Sequence, residues 1–184
     1  MSLAVQTTPL DGVLVLEPRV FGDARGFFLE SWNERSFAEA TGYDARFVQD
    51  NHSRSGRGVL RGLHYQARHT QGKLVRVVRG AVFDVAVDLR EGSPTYGRWY
   101  GTELSEDNHR QLWVPPGLAH GFVVLTDVAD FLYKVTDYRH ADQERTVLWN
   151  DPDIGIAWPL DGEPVLSERD AAAEPLSAHA PWRP

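Results

Sequence analysis

Two histidines lie in segments whose residue types suggest a functional site. His64 occurs in Leu-Arg-Gly-Leu-His-Tyr-Gln at 60–66, and His120 occurs in Pro-Gly-Leu-Ala-His-Gly at 116–121. Histidine serves either as a metal ligand or as a group that exchanges protons near neutral pH. Two scattered histidines fall short of the three protein ligands of most catalytic zinc sites. Lys73 follows the first histidine, and a cation in that place disfavours a divalent metal. These residues therefore predict no catalytic metal.

Several other polar residues have a structural interpretation as well as a functional one. Asp170 ends the run Ser-Glu-Arg-Asp that starts at Ser167, a pattern typical of a helix N-terminus. Tyr133 stands in an apolar segment, where a buried tyrosine often packs in the core with its hydroxyl hydrogen-bonded. Lys73 and Arg61 have the residue types most often found as plain surface charges. Taken singly, these residues leave both interpretations open.

The composition is that of a globular protein and excludes several functional classes. The 184 residues, 42% hydrophobic and 24% charged, predict one domain over 1–184, with a loosely packed C-terminal tail at about 171–184. The absence of cysteine excludes disulfides and thiolate catalysis. A net charge of −7 disfavours nucleic acid as a partner. No apolar run approaches a membrane span and no secretion signal is recognisable, so we expect a cytoplasmic protein without membrane contact.

Most of the chain consists of short valine-rich or alternating segments separated by turns. The predicted strands are 12–17, 26–32, 47–53, 60–66, 74–78, 82–89, 98–104, 111–114, 121–125, 131–138 and 146–150. Such a series favours a β-sandwich or barrel. A short helix is predicted at 34–41, between Asn33 as N-cap and Gly42 just past its end. A second helix is expected to start after Ser167.

The segments around the two histidines resemble the paired metal motifs of cupins, which are small β-barrels. The first cupin motif normally carries His-x-His followed by a carboxylate. Here Gln66 occupies the second histidine position and Lys73 follows. An amide is a poor ligand for soft or borderline metals, so a metal-dependent cupin oxygenase is disfavoured.

A longer series of motifs resembles the dTDP-4-dehydrorhamnose 3,5-epimerase family. It begins with Gly-Asp-Ala-Arg-Gly-Phe-Phe-Leu-Glu at 22–30. The series then continues through 49–53, 60–66, 71–76, 83–88, 116–122, 131–134, 149–152 and 166–171. Together the matches are specific for the family, though less so for the particular member. The resemblance implies an all-β double-stranded β-helix, the cupin or jelly-roll barrel, with a few short helices.

The resemblance implies chemistry on a nucleotide-linked 4-keto-6-deoxyhexose. The expected reaction converts dTDP-4-dehydro-6-deoxy-D-glucose into dTDP-4-dehydro-L-rhamnose by removing protons at C3 and C5 and returning them to the opposite face. Such a reaction needs a base, an acid on the other side and a group that stabilises the enolate oxygen. It needs no cofactor.

The catalytic roles follow from the same resemblance. His64 matches the family's base, and Asp170 matches the carboxylate that fixes its tautomer. Tyr133 matches the acid on the opposite face, and Lys73 matches the residue that stabilises the enolate oxygen. His120 matches a supporting member of the site.

The resemblance also implies substrate contacts and an assembly. The expected binding residues are Arg25, Phe28, Glu30, Gln49, Asn51, Arg61, His120, Tyr138 and Arg169. Phe28 is expected to lie against the nucleotide base. The family forms homodimers by strand exchange, so the partner subunit is expected to supply some of these contacts.

One strand poses a geometric condition. Strict alternation along 60–66 puts Gly62, His64 and Gln66 on one face and Arg61 on the other. For Arg61 and His64 both to face the ligand, the strand needs a bulge or a strong twist.

Two departures from the family pattern leave the exact reaction open. Relatives commonly have Tyr-Tyr where this chain has Tyr138-Arg139, and a lysine where it has Arg169. The alternatives are a single-carbon epimerase of a specialised deoxysugar pathway and a sugar-nucleotide-binding cupin without catalysis. An intact acid and base argue against the second, because binding alone does not need them on opposite faces.

Overall fold

Two antiparallel sheets face each other in the computed structural model, which describes residues 3–183. The first sheet has the spatial order β1 (Leu3–Thr7), β2 (Leu14–Pro18), β10 (Gln111–Val114), β7 (Lys73–Arg79), β12 (Val128–Val135) and β5 (Gln49–Gly56). The second has the order β13 (Glu144–Thr146), β6 (Leu60–Gln66), β11 (Leu118–Val124), β8 (Ala81–Asp88) and β9 (Trp99–Ser105). A separate hairpin consists of β3 (Val20–Asp23) and β4 (Gly26–Leu29).

The chain crosses repeatedly between the two sheets. From β5 to β8, and again from β9 to β13, each strand lies in the opposite sheet from the one before it. This winding is the double-stranded β-helix of the cupin or jelly-roll barrel, which confirms the predicted all-β fold class. Its core fills the space between the sheets, where Val75, Leu112 and Phe131 of the first meet Ala86 and Phe122 of the second.

Helix α1 (Glu34–Thr41) has the bounds that the sequence predicts. The side chain of Asn33 accepts a hydrogen bond from the Ser36 amide at 3.0 Å, and Gly42 ends the helix with φ of 75°. The helix packs on the outer face of the first sheet, where Phe37 contacts Trp113 edge to face. No helix within residues 3–183 is long and apolar enough to cross a membrane.

The C-terminal segment, where the sequence predicts a loose tail, contacts the barrel through Leu176 and Trp182. Leu176, in a short 3-10 turn at Leu176–Ala178, is buried in the apolar cluster that contains Leu89. The Trp182 amide donates to the Leu89 carbonyl at 2.7 Å, and the Leu176 amide donates to Asp151 Oδ2 at 2.6 Å. The alanines and prolines suggested a loose end, but two large apolar side chains in the same segment bury surface on the barrel.

Candidate active site

A bulge in β6 brings Arg61 and His64 to the same cavity. Across the β6–β11 pair, His120 lies opposite His64 and Phe122 lies opposite Arg61, so β6 carries one extra residue. Gly62 at the bulge has φ of 128°, and a Cβ there would lie 2.6 Å from the Cα of Gly121. Only glycine fits this backbone. The bulge thus lets Arg61 and His64 both line the cavity, which strict alternation along β6 would not allow.

The cavity lies between the sheets and has a volume of about 250 Å³. Six of the residues predicted for the site line it, namely Arg61, His64, Lys73, His120, Tyr133 and Arg169. They come from β6, β7, β11, β12 and the segment of helix α2 (Glu168–Ala171). The barrel therefore gathers residues that are more than 100 positions apart in sequence.

His64 and Asp170 form a hydrogen-bonded pair. His64 Nε2 lies 2.6 Å from Asp170 Oδ1, and Asp170 is almost completely buried. Burial opposes ionisation of this carboxyl, but the hydrogen bonds from His64 and Ser167 outweigh it and hold the pKa of Asp170 below its usual value. An ionised Asp170 fixes one nitrogen of the imidazole and leaves the other to exchange a proton.

Asp170 also has the structural role that the sequence suggested. Its backbone N–H donates to Ser167 Oγ at 3.1 Å, which caps helix α2. The carboxylate meanwhile points to His64. The helix cap and the hydrogen bond to His64 are therefore both present, since they use different atoms of one residue.

Lys73 is buried beside the pair. Its Nζ donates to the backbone carbonyl of His64 at 3.0 Å. Burial lowers the pKa of Lys73 to about 8, although the carboxylates of Asp84 and Glu144 favour the charged form. The site thus holds a cation that is close to losing its proton at mildly alkaline pH.

His120 forms a second histidine–carboxylate pair, with a residue that sequence reasoning did not include. His120 Nε2 lies 3.0 Å from each carboxylate oxygen of Asp84, and Asp84 is fully buried. Burial raises the pKa of Asp84, while His120 and Lys73 oppose that shift. The sequence feature that could have identified Asp84 is an acidic residue on the inward face of a valine-rich strand.

Tyr133 reaches the cavity from the sheet opposite His64. It lies on β12 of the first sheet, whereas His64 lies on β6 of the second. Burial raises the pKa of the Tyr133 phenol, as does the carboxylate of Glu144, so the hydroxyl keeps its proton. His64 and Tyr133, two side chains of types that can exchange protons, therefore line one cavity from different sheets.

The two arginines that depart from the family pattern meet at one carboxylate. Arg139 binds Glu144 through two hydrogen bonds of 2.8 and 3.0 Å, and Arg169 Nη1 donates to the same carboxylate at 2.7 Å. The hydrogen bond from Arg139, with that from Arg169, keeps the pKa of Glu144 below its usual value. Glu144 lines the cavity, and sequence reasoning missed it because a lone glutamate outside the recognised motifs carried no signal.

The other predicted binding residues do not line this cavity within the chain. They are Arg25, Phe28, Glu30, Gln49, Asn51 and Tyr138. Arg25 and Phe28 lie on the β3–β4 hairpin, where the Arg25 side chain is 90% exposed and Phe28 is 61% exposed. Asn51 accepts a hydrogen bond from Gln49 at 2.7 Å and lines a neighbouring cavity that Tyr133 also borders.

The donor set around His64 does not suit a divalent cation. Both cavity histidines are held by carboxylates, and the buried ammonium of Lys73 donates to the His64 carbonyl and interacts electrostatically with Asp84. Gln66, in the place of a cupin metal ligand, donates instead to the carbonyl of His69 at 2.6 Å.

The fold and the cavity define a cupin-type barrel with an acid–base site between its sheets. The chain belongs to the dTDP-4-dehydrorhamnose 3,5-epimerase family, whose model matches residues 7–178. Members of this family are isomerases. A dTDP-4-dehydrorhamnose 3,5-epimerase of Pseudomonas aeruginosa is 63% identical over 86% of this chain and 87% of its own. One of Salmonella typhimurium is 56% identical over 93% of this chain and 94% of its own.

Solved structures agree in fold. A dTDP-6-deoxy-D-glucose-3,5-epimerase of Legionella pneumophila in complex with dTDP-4-keto-L-rhamnose has a TM-score of 0.93 and 52% identity, covering 95% of this chain and 93% of its own. A 3'-monoepimerase of Streptomyces bikiniensis, in complex with dTDP-quinovose, has a TM-score of 0.87 and 40% identity, covering 93% of this chain and 88% of its own.

Proposed function

We propose that the protein is a dTDP-4-dehydrorhamnose 3,5-epimerase that inverts C3 and C5 of dTDP-4-dehydro-6-deoxy-D-glucose. The observation that carries this proposal is the placement of His64 and Tyr133 on opposite walls of one cavity. Inversion requires that a proton leave one face of a carbon and return to the other. A site for binding alone would not need that arrangement. The nucleotide-linked substrate also favours the cytoplasm as the place of reaction.

The proposed reaction begins at His64. Its imidazole, held by the Asp170 carboxylate at 2.6 Å, removes the proton from a carbon next to the C4 ketone. The C–H bond electrons then form an enolate whose negative charge lies on the C4 oxygen. Asp170 stabilises the imidazolium that results, and remains ionised while it does so.

Lys73 is the proposed stabiliser of the enolate oxygen. Its ammonium is buried, and a fixed positive charge in a dry site acts strongly on developing negative charge. His120, oriented by Asp84, contributes a second polar group to the same cavity. Tyr133 then donates its phenolic proton to the opposite face of the carbon. Solvent reprotonates the phenolate and accepts the proton from the His64 imidazolium, which returns both groups to their starting states.

Inversion of both carbons is favoured over inversion of one. The two curated relatives described above carry the 3,5-epimerase name at 63% and 56% identity. The 3'-monoepimerase of S. bikiniensis is less similar, at 40%. The single-carbon reaction remains the second candidate, because Arg139 and Arg169, which depart from the family pattern, both bind Glu144 in the cavity wall.

A homodimer is part of the proposal. The β3–β4 hairpin projects exposed aromatic side chains, with Phe27 at 63% and Phe28 at 61% exposure, beside the exposed guanidinium of Arg25. Apolar side chains that protrude together favour a protein interface. We infer that this hairpin enters the partner subunit and that Arg25 and Phe28 complete its nucleotide site.

Nuclear magnetic resonance in D2O tests the reaction directly. The purified protein is incubated with dTDP-4-dehydro-6-deoxy-D-glucose, and deuterium at C3 and C5 is followed together with the configuration of each carbon. Deuterium and inversion at both positions are expected. Inversion at one carbon alone would identify a single-carbon epimerase, and binding without exchange would identify a non-catalytic protein.

Mixing two variants tests the dimer. His64→Ala and Arg25→Ala homodimers are each expected to be weakly active, since each lacks one part of every site. Subunit exchange produces mixed dimers in which one site has both residues, so activity should recover to about a quarter of wild type. Absence of recovery, with exchange verified by mass, would place Arg25 outside the partner's site.

A further inference from the structure

His69, Asp137 and His140 form a cluster beside the cavity that the proposed reaction does not use. One ligand atom from each lies within 4.8 Å of the other two. His69 is on the loop after β6, whereas Asp137 and His140 are on the loop after β12. Within residues 3–183 this is the one group of three histidine or acidic side chains spaced to hold a metal ion.

The geometry is close to that of a coordination site. His69 Nδ1 lies 3.5 Å from Asp137 Oδ2, about the separation of two donors that each lie ~2.1 Å from a tetrahedral ion. The rings of His69 and His140 stack with centroids 4.2 Å apart and planes inclined by 18°. The His69 and Asp137 side chains are 55% and 37% exposed, so small rotations can bring all three donors onto one ion.

The backbone around the cluster is held in place by the side-chain amides of Gln66, which is buried, and Gln71, which is partly buried. The Gln66 side chain donates to the His69 carbonyl at 2.6 Å and accepts from the His140 amide at 2.6 Å. Gln71 donates to the Asp137 carbonyl at 2.9 Å. His69 has φ of 53°, a conformation that residues other than glycine rarely adopt. Both loops are thus fixed so that the three ligands face one another.

We propose that His69, Asp137 and His140 bind a divalent late first-row cation, with Zn²⁺ as the representative. Two imidazole nitrogens and one carboxylate oxygen suit Zn²⁺, Ni²⁺ or Co²⁺, whereas Mg²⁺ and Ca²⁺ prefer oxygen alone. The three protein ligands leave a further position for water. The ion would join the two loops that Gln66 already links beside the cavity, and it would have no part in moving protons at the sugar.

Zinc titration tests the site. Protein prepared without a histidine tag and stripped with chelator is titrated with ZnCl₂ by calorimetry, and Co²⁺ is then used as a visible-absorption probe. One site per chain is expected. The affinity should fall by about tenfold or more in each of His69→Ala and His140→Ala. Asp137→Asn, which keeps the side-chain size, should also weaken binding.

His52→Ala is the matched control. His52 is likewise a surface histidine beside a carboxylate, with its Nε2 3.2 Å from Asp130 Oδ1, and its side chain is 56% exposed. Zinc affinity should be unchanged in this variant. The proposal is overturned if wild type binds no Zn²⁺ with a Kd below about 1 mM. It is also overturned if binding persists at full strength in folded His69→Ala and His140→Ala, with folding verified by circular dichroism.

Discussion

A hydrogen bond of 2.6 Å joins His64 Nε2 to Asp170 Oδ1 across 106 residues of sequence. The imidazole lies on β6 and the carboxylate on the short helix α2, which Ser167 caps. The position of the proposed base therefore depends on where the C-terminal segment docks. Since Asp170 serves both the helix cap and the pair, separate substitutions can distinguish the two roles.

His64→Ala is expected to abolish epimerisation and solvent exchange together. Loss of a general base alone costs about 10²–10⁴ in rate. Asp170→Asn should also lower activity, because the amide no longer stabilises the imidazolium. Ser167→Ala removes the cap at a cost of about 1 kcal/mol and one hydrogen bond to the Asp170 carboxylate, but it keeps the carboxylate itself, so it should lower activity less than Asp170→Asn. Exchange at the wild-type rate in His64→Ala, measured by NMR in D2O, would falsify the assignment of the base.

Tyr133→Phe should separate removal of the proton from its return. The ring is nearly conserved, so the fold and substrate binding should hold, and His64 can still form the enolate. Without the phenol, the enolate should often regain its proton on the original face. Inversion should therefore fall further than deuterium exchange at the same carbon in one NMR time course. Equal losses in both rates would mean that Tyr133 is not a separate acid.

The pKa of Lys73 predicts a decline of activity at alkaline pH. With a pKa of about 8, its ammonium is present below that pH and is lost as the pH rises through it. If the charge stabilises the enolate, kcat/KM should decline above about pH 8. Lys73→Arg should lower the maximum rate but move the alkaline limb upward, because arginine stays protonated. If kcat/KM of Lys73→Arg declines over the same pH range as that of the wild type, another group causes the decline.

Chelation should leave the reaction intact. Neither cavity histidine joins a three-ligand group within residues 3–183, and the hydrogen-bond partners of His69, Asp137 and His140 in that range are not proposed catalytic residues. Activity after exhaustive EDTA treatment is therefore expected to match that of untreated protein. A strong loss that one particular metal restores would contradict the metal-free mechanism.

Asp88→Asn is predicted to destabilise the barrel in a pH-dependent way. Buried Asp88 accepts hydrogen bonds from Arg90, Ser93 and Thr95, which overcome the effect of burial and lower its pKa from 3.8 to about 2. A depressed carboxyl pKa stabilises the fold above pH 4, and this contribution is lost as pH falls toward 2. The substitution should cost about 2 kcal/mol at pH 7 in urea unfolding, and less near pH 3.

Exposed Asp127 provides the control for this measurement. Its side chain is 96% exposed and its ion pair with Arg57 lies in solvent. Asp127→Asn should change the free energy of unfolding by well under 1 kcal/mol at either pH. An equal effect of both substitutions would contradict the role assigned to buried Asp88.

Local pattern was enough to predict some elements from sequence. Helix α1 and strands β6 and β10 have their predicted bounds, because capping residues and alternation act over a few neighbours. Strand β1 was missed, since its pattern is weak and its pairing with β2 depends on a tertiary contact. The predicted strand at 146–150 instead forms as β13, Glu144–Thr146, where pairing with β6 sets the register.

The sequence by itself determined the family and the candidate side chains, because motif residues keep their order and spacing along the chain. The tertiary structure decided which of them meet. In the folded chain Asp84 is hydrogen-bonded to His120, and Arg139 and Arg169 both bind Glu144. Arg25 instead lies on an exposed hairpin. These relationships join residues on different strands and loops. Their distances depend on how the two sheets pack and where β6 bulges, which no local pattern encodes.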